Sequence, residues 1–478
     1  MSRSEWWRAR LEELDRWAVA ILGVGLLVRL AGLGVELLWY DEAFTAYLVR
    51  LPFPNMMQVI AGDVHPPGHY LVVRAVAALL GRSALALRLP SVVFGALSGL
   101  LLYHLLRDSA GPRAGVIAGL LFALMPAQVN YAQEARPYAM AVWAVLLAAR
   151  GVQTDRWIQA ALGVALALYT LNLSVFYLAP LGVWALLKDW RLALRAFGAA
   201  GVCYLPWLPN LLGQAGMVGA SYWLPPPHPG ALLYGLLFST FYVQQVPPLT
   251  GQVALVAVGL TVLALIALRR DLRELAFLLV MALLPPILMF AISLVWSPVF
   301  IERALLPAGA FLVGLWAAGI DRLRWQAAVP VGLVAVPALA ISLGGYYTYR
   351  PVPNQFEFSE PMAVIDAGWQ PGDVIYHGSL VSYIQLEYYR PGSNLLAAGS
   401  ADLAQFRSDA TRRALRIQQA RLSDLPGRYR RVWVFLMETS ADPDAGDFQP
   451  PYPVEEQYLI VDHNGMKRWL YLLDLGGE

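Results

Sequence analysis

Residues 66–80, Pro-Pro-Gly-His-Tyr-Leu-Val-Val-Arg-Ala-Val-Ala-Ala-Leu-Leu, decide how the rest of the chain is threaded. The stretch is apolar, yet it is shorter than the ~20 residues that cross a bilayer, and it carries Arg74. If it stays on one side, the clusters Arg107/Arg113, Arg150/Arg156, Lys188/Arg191/Arg195, Arg269/Arg270/Arg273 and Arg322/Arg324 all fall on the side of the Arg-rich N-terminus. If it crosses, every one of them moves to the other side, against the bias of basic loops toward the cytoplasm. The segment therefore reads as an interfacial helix on the outer leaflet.

Composition supports a membrane reading. Of 478 residues, 58% are hydrophobic and 14% charged, with mean hydropathy +0.52, whereas soluble domains carry about a quarter charged residues. Apolar segments near 17–38, 88–106, 114–130, 138–150, 157–172, 174–187, 196–212, 250–268, 274–295, 304–320 and 327–345 predict about eleven transmembrane helices. A short apolar run at 231–243 reads as a second interfacial helix, after a proline-rich external loop at Met217–Gly230. Met1–Arg16 is polar and Arg-rich, and the apolar stretch after it is too long for a signal-peptide core and lacks a small-x-small cleavage site, so it reads as an uncleaved signal anchor. The net charge of +2 provides no field for nucleic acid, and the single cysteine, Cys203, leaves neither a disulfide nor a cysteine metal site.

Composition changes after Gly345. Residues 346–353 read as a linker and 354–478 as soluble, giving a transmembrane domain over 1–345 and a second domain over 346–478. An odd number of spans places that second domain outside. Within it, Asp373–His377 and Arg431–Leu436 read as buried strands and 401–421 as an amphipathic helix, hence a small α/β domain. Gln370-Pro-Gly-Asp373 reads as a turn, and no glycine-rich phosphate loop is present.

The same threading puts Asp41-Glu42, His65/His69, Glu134/Arg136, Asn172, the loop 213–230 and Glu302-Arg303 on the outer face. Polar clusters converging on one side suit an enzyme site or a solute pathway. Each also has a plainer use. Asp41 can cap the helix that follows it, Pro66-Pro67 fixes a helix entry whatever His65 does, and Glu134 can pair with Arg136. Arg29 lies inside the first apolar span and must find a carboxylate, a phosphate or the interface. Arg88 reads as an interface anchor. Asp41, Glu42 and His65 are three potential metal ligands without diagnostic spacing, so no cofactor is expected to be required.

Taken in order, Trp39-Tyr-Asp-Glu-Ala43, His65-Pro-Pro-Gly-His69, Arg88-Leu-Pro-Ser-Val-Val-Phe-Gly95 and Gln133-Glu-Ala-Arg-Pro-Tyr138 resemble the GT-C membrane glycosyltransferases related to protein O-mannosyltransferases and aminoarabinose transferases (glycosyltransferase family 39-like). The resemblance implies an all-α polytopic GT-C fold followed here by the extracytoplasmic α/β domain. It also implies a polyprenyl-phosphate-linked sugar donor, a glycan, lipid or protein acceptor at the outer face, inversion at the anomeric carbon, and a bacterial plasma membrane. The family's first-loop acidic motif maps onto Asp41 as the base, with Glu42 holding the acceptor or the loop. His65, His69, Glu134, Arg136, Tyr138, Arg303 and Arg29 are the candidates for binding the donor phosphate or substrate. Inverting transfer needs such a carboxylate to take the acceptor's proton, and cations can stabilise a departing lipid phosphate without a general acid. The rival readings are a transporter or lipid flippase, which would place ionisable residues near span centres, and an envelope scaffold in which Asp41-Glu42 is dispensable.

Overall fold

The computed structural model describes residues 15–220, 224–243, 249–349, 358–400, 403, 409–438, 445–461 and 465–476. The Arg-rich segment 1–14 and residues 350–357, which include the end of the expected linker 346–353, lie outside them. The chain divides into two compact units. One comprises Met1–Leu33, Val64–Val72 and Arg88–Arg350; the other comprises Gly34–Asp63, Val73–Leu87 and Pro351–Glu478. The second unit thus contains the expected C-terminal domain together with two stretches from the part expected to be purely transmembrane.

The first unit is helical. Among the described residues, five helices are long and apolar enough to cross a membrane: Ala84–Ser109, Thr250–Ala267, Leu272–Val295, Glu302–Asp321 and Trp325–Thr348. A sixth span is possible if Pro112–Leu124 and Pro126–Ala132, bent by 59° at their junction, count as one. Full-length apolar helices among the described residues thus account for five or six of the expected eleven. Segments at 138–150, 157–172 and 174–187 form the short apolar helices Tyr138–Gln153, Trp157–Thr170 and Asn172–Lys188. The segment 196–212 breaks at Leu205-Pro-Trp207, between helices Trp190–Tyr204 and Leu208–Ala220. The deciding segment forms the helix Gly68–Leu80; its 13 residues, at about 1.5 Å each, are too short to cross alone. The run at 231–243 is the 11-residue helix Ala231–Phe241.

Helix Leu306–Asp321 is the hub, buried at every position from Leu306 to Ile320. Elsewhere small residues let backbones touch. A Cβ on Gly163 would lie 2.3 Å from the Ala148 nitrogen, and one on Gly151 would lie 2.3 Å from that of Ala160, so helices Tyr138–Gln153 and Trp157–Thr170 pack backbone to backbone. The bend after Leu124 comes from Pro126, which has no N–H, and from Met125, whose ψ of 118° is extended.

The second unit holds a six-stranded sheet: β1 Val374–His377, β2 Asn394–Ala397, β3 Gln419–Ala420, β4 Arg431–Met437, β5 Val454–Val461 and β6 Lys467–Asp474. Their spatial order is β3-β2-β1-β4-β6-β5, with β1–β4 parallel to their neighbours on that side and β6 antiparallel to both β4 and β5. Strand β4 is buried throughout, as its unbroken apolar run requires. The Gln370–Asp373 turn is structural: the Asp373 carboxylate accepts from Gln370 N–H at 3.0 Å and pairs with Arg431 at 2.7 Å. The helix expected over 401–421 is described as helix only at Asp409–Leu415; residues 419–420 are strand, and most of 401–408 lies outside the described residues. Tyr346–Tyr349, expected in the linker, end the helix Trp325–Tyr349 instead.

Helices Tyr40–Arg50 and Phe53–Ala61 belong to this second unit and are bonded into it. The Tyr389 hydroxyl accepts from Leu38 N–H at 2.7 Å, and the Gln385 amide donates to the Leu38 carbonyl at 3.2 Å. Tyr47 donates to the Leu415 carbonyl at 2.6 Å, and Arg50 donates to the carbonyls of Glu387 and Tyr388 at 3.1 and 3.2 Å. Within the same unit, Arg74 donates to the carbonyls of Val49 and Leu51.

Candidate functional site

Asp41 and Glu42 occupy the first turn of helix Tyr40–Arg50, whose N-cap is Trp39 and lacks a side-chain cap bond. Asp41 is thus inside the helix rather than capping it. Both carboxylates thus lie at the positive end of the helix dipole. Glu42 is 1% exposed and Asp41 is half-buried. Thr45 Oγ1 donates to the Asp41 carbonyl at 3.1 Å, tying the first turn to the next.

The candidate cations lie in the first unit, around irregular backbone. The helix Pro126–Ala132 ends at Gln133, and Pro137 opens the next helix, so residues 133–137 form a turn whose Gln133, Ala135 and Arg136 are buried. Arg136 Nη2 lies 3.3 Å from His65 Nε2. An arginine can only donate, so His65 Nε2 accepts and carries its proton on Nδ1. Ser91 Oγ donates to the Arg136 carbonyl at 3.2 Å. Arg303, in the short 3-10 turn Glu302–Leu305, lies with its guanidinium 5.5 Å from the ring centre of Tyr138, which itself makes an edge contact with Tyr131 at 5.1 Å. His65, Arg136, Tyr138 and Arg303, separate in sequence, are therefore neighbours along one turn. Glu134 accepts from Asn130 at 3.1 Å.

His69 is 1% exposed, and among the described residues neither of its ring nitrogens has a hydrogen-bond partner. Burial, aided by Arg136 and His65, lowers its pKa to about 3, so the ring is neutral at physiological pH. Among the described residues, no three His, Cys, Asp or Glu side chains gather so as to hold a metal ion.

Arg29 has a partner that the sequence reading did not consider. Fully buried, it donates from Nη1 to the carbonyls of Ala123 at 3.1 Å and Gly25 at 3.2 Å, with its guanidinium 5.6 Å from the Phe122 ring centre. The Ala123 carbonyl ends the helix Pro112–Leu124 at the bend, where its ordinary helical donor is lost. Arg29 supplies a donor and a positive charge to that buried negative end. Gly95 makes the room: a Cβ there would lie 2.8 Å from Arg29 Nε. Gln133 Nε2 bonds the Arg29 and Ala31 carbonyls at 2.8 and 2.7 Å, while Tyr346 donates to Gln133 Oε1. Arg88 is likewise buried, donating to the Leu33 carbonyl at 2.8 Å rather than anchoring at an interface.

No curated protein matches this sequence. A family model described as dolichyl-phosphate-mannose-protein mannosyltransferase matches residues 64–211, which include His65, His69 and Arg136. The crystal structure of ArnT from Cupriavidus metallidurans bound to undecaprenyl phosphate superposes with a TM-score of 0.62 at 15% identity, over 97% of this chain and 100% of that one. The chain has the GT-C fold. The apo form of ArnT agrees, with a TM-score of 0.63 at 14% identity over 95% and 97% of the two chains. So does the archaeal oligosaccharyltransferase AglB from Archaeoglobus fulgidus, in complex with an inhibitory peptide and a dolichol-phosphate, with 0.56 at 13% identity over 96% and 74%. On this GT-C frame the sequence reading missed Gln133, which ties the turn to the first helix, and Gln214, which bonds Asn172 at 2.9 Å. An amide inside an apolar run was the available signal for Gln214, whereas Gln133 opened a motif in which it was given no role.

Proposed function

We propose that this chain is an inverting glycosyltransferase that moves a sugar from a polyprenyl-phosphate-linked donor to a hydroxyl-bearing acceptor at the outer face of a bacterial plasma membrane, with its N-terminus cytoplasmic and its C-terminal domain outside. The observation that carries the reading is the buried turn that joins His65, Arg136, Tyr138 and Arg303 within a GT-C fold. It is supported by the undecaprenyl phosphate and dolichol-phosphate bound in ArnT and AglB.

In this reading Asp41 takes the proton of the acceptor hydroxyl as that oxygen attacks the anomeric carbon. The bond from that carbon to the phosphate oxygen breaks with its electron pair, inverting the centre and releasing the polyprenyl phosphate. Arg136 and Arg303 meet the charge that collects on the departing phosphate, where charge-assisted hydrogen bonds strengthen as the bond lengthens. Glu42 holds the acceptor or the geometry of the first turn. Glu134 shapes the cationic turn, and Arg29 fixes the end of the helix leading into it. Because arginines neutralise the leaving group, no step is assigned to a metal.

The test is transfer itself. Full-length protein in lipid nanodiscs, given undecaprenyl-phosphate-linked sugars and envelope material from a deletion strain, should release undecaprenyl phosphate as sugar appears on the acceptor. Movement of intact donor across a vesicle membrane without its cleavage would overturn the reading in favour of a flippase.

A further inference from the structure

The row of groups beside the cationic turn is chemically different from it. Residues 64–69 run along the chain between helix Trp157–Thr170 and the next one. The Val64 carbonyl accepts from Asn172 Nδ2 at 2.9 Å. A Cβ on Gly68 would come within 2.5 Å of the Tyr169 carbonyl, so only glycine allows this approach. His69 follows directly. On the far side Asn172 Nδ2 also donates to Gln214 Oε1 at 2.9 Å. The row therefore contains an imidazole, two amides and, at Ser174, a hydroxyl.

His69, Ser174 and Gln214 are buried and Asn172 is half-buried, and polar atoms of His69, Asn172 and Ser174 are not used up. His69, Ser174 and Gln214 are 1%, 2% and 1% exposed. Among the described residues, both ring nitrogens of His69, Asn172 Oδ1 and Ser174 Oγ lack hydrogen-bond partners. Buried polar atoms left unpaired are costly and uncommon, and here they cluster in one stretch of one unit. All are uncharged, and together they offer donors and acceptors, which is the pairing a hydroxyl requires. Of the charges near the row, the Arg136 guanidinium adjoins it through His65 and repels an ammonium.

We propose that His69 and Asn172, backed by Gln214 and Ser174, form the subsite for the donor's sugar, and that this sugar is uncharged and bound through its hydroxyls. The inference rests on the lipid-linked-donor reading above and adds to it the residues and chemical class that select the sugar. Arg136 serves the phosphate; His69 and Asn172 serve the ring.

The experiment compares four ligands on the full-length protein in nanodiscs: bare undecaprenyl phosphate, and the same lipid phosphate carrying glucose, mannose or 4-amino-4-deoxyarabinose. The wild type should bind at least one neutral hexosyl lipid about tenfold or more tighter than the bare lipid, and the amino sugar no tighter than the bare lipid. Asn172→Ala and His69→Phe should each erase most of that increment while leaving the bare lipid unchanged; Arg136→Gln should weaken all ligands alike. If His69→Phe lowers the melting temperature, His69→Gln and Asn172→Ala carry the comparison. The proposal is overturned if these variants weaken the bare lipid as much as the hexosyl lipid, if the increment survives them, or if the amino sugar binds as tightly as the hexose. A wild type that binds none of the four, with Arg136→Gln making no difference, overturns the donor reading itself, and the subsite with it.

Discussion

The acidic pair and the cationic turn are built by opposite means. Asp41 and Glu42 stand on a regular helix, and the C-terminal α/β unit grips the backbone leading into that helix from both sides at Leu38. Arg136 and its neighbours stand on irregular backbone beyond a broken helix, where interior side chains must supply the bonds that a continuous helix would make for itself. The first arrangement lends a carboxylate the rigidity of a folded α/β unit. The second exposes peptide dipoles and cations inside an apolar bundle, which is tolerable only where the broken ends are capped. A regular element suits a base that needs one fixed direction, whereas irregular backbone lets several cations converge on one phosphate.

Four experiments can break or sharpen this contrast. The largest effect is expected at the base: Asp41→Asn should cut transfer by about 10²–10⁴-fold, the usual worth of a positioned general base, with donor affinity retained. Near-normal turnover in single-turnover assays would remove Asp41 from the chemistry. Next comes the cation. Arg136→Gln should lower turnover by about 10²–10³-fold, as for loss of one donor to a developing oxyanion. Arg136→Lys should recover only part, because an ammonium keeps the charge without the planar fork. Equal rates for Lys and Arg would show that charge alone matters.

The grip on Leu38 should give a smaller and differently shaped effect. Tyr389→Phe removes the acceptor of Leu38 N–H, a bond worth about 0.5–1.5 kcal/mol. Turnover should fall roughly 2–10-fold by that measure while the KM for donor stays put, since the change reaches the base helix and not the phosphate side. A rise in donor KM with unchanged kcat would mean that the α/β unit does not serve the base.

The last effect concerns stability rather than rate. His377 at the end of β1 is fully buried between Ser382 and Asn394, each at 2.9 Å, and burial lowers its pKa to about 4 although the Asn394 bond opposes the shift. The unfolded chain takes up this proton near pH 6.5 and the folded one only near 4, so the unfolded state holds more protons between those values. Folding stability should therefore fall as pH drops from about 6.5 to 4, by at most about 3 kcal/mol. Hydrogen exchange of β1 amides against pH measures it. His377→Gln should flatten the slope, and an unchanged slope would assign the pH dependence to other groups.

What the sequence disclosed follows from the range of the forces involved. Hydropathy is summed over neighbours, so the apolar runs, the shortness of 66–80 and the strands at Val374–His377 and Arg431–Met437 could all be read locally. The second unit's claim on residues 34–63 and 73–87 could not. It rests on bonds such as Tyr47 to Leu415 and Tyr388 to Arg82, made by ordinary tyrosines to backbone carbonyls more than 300 positions away. Span lengths were overcounted where prolines such as those at 126 and 206 cut apolar runs that hydropathy joins. The turn at 133–137 was visible as a motif, yet the approach of Arg303 to Tyr138 beside it needed the fold.

Arg29 also imposes an order on how the molecule is made. It lies in the last turn of helix Arg16–Leu30, and the carbonyl it bonds belongs to a residue synthesised 94 positions later. At about 5–20 residues per second, that leaves Arg29 with only the Gly25 carbonyl of its own helix for roughly 5–20 s. A ribosome halted before residue 123 holds a first helix whose Arg29 lacks its bond to Ala123, and completing that bond is an act of the later chain rather than of the helix's own sequence.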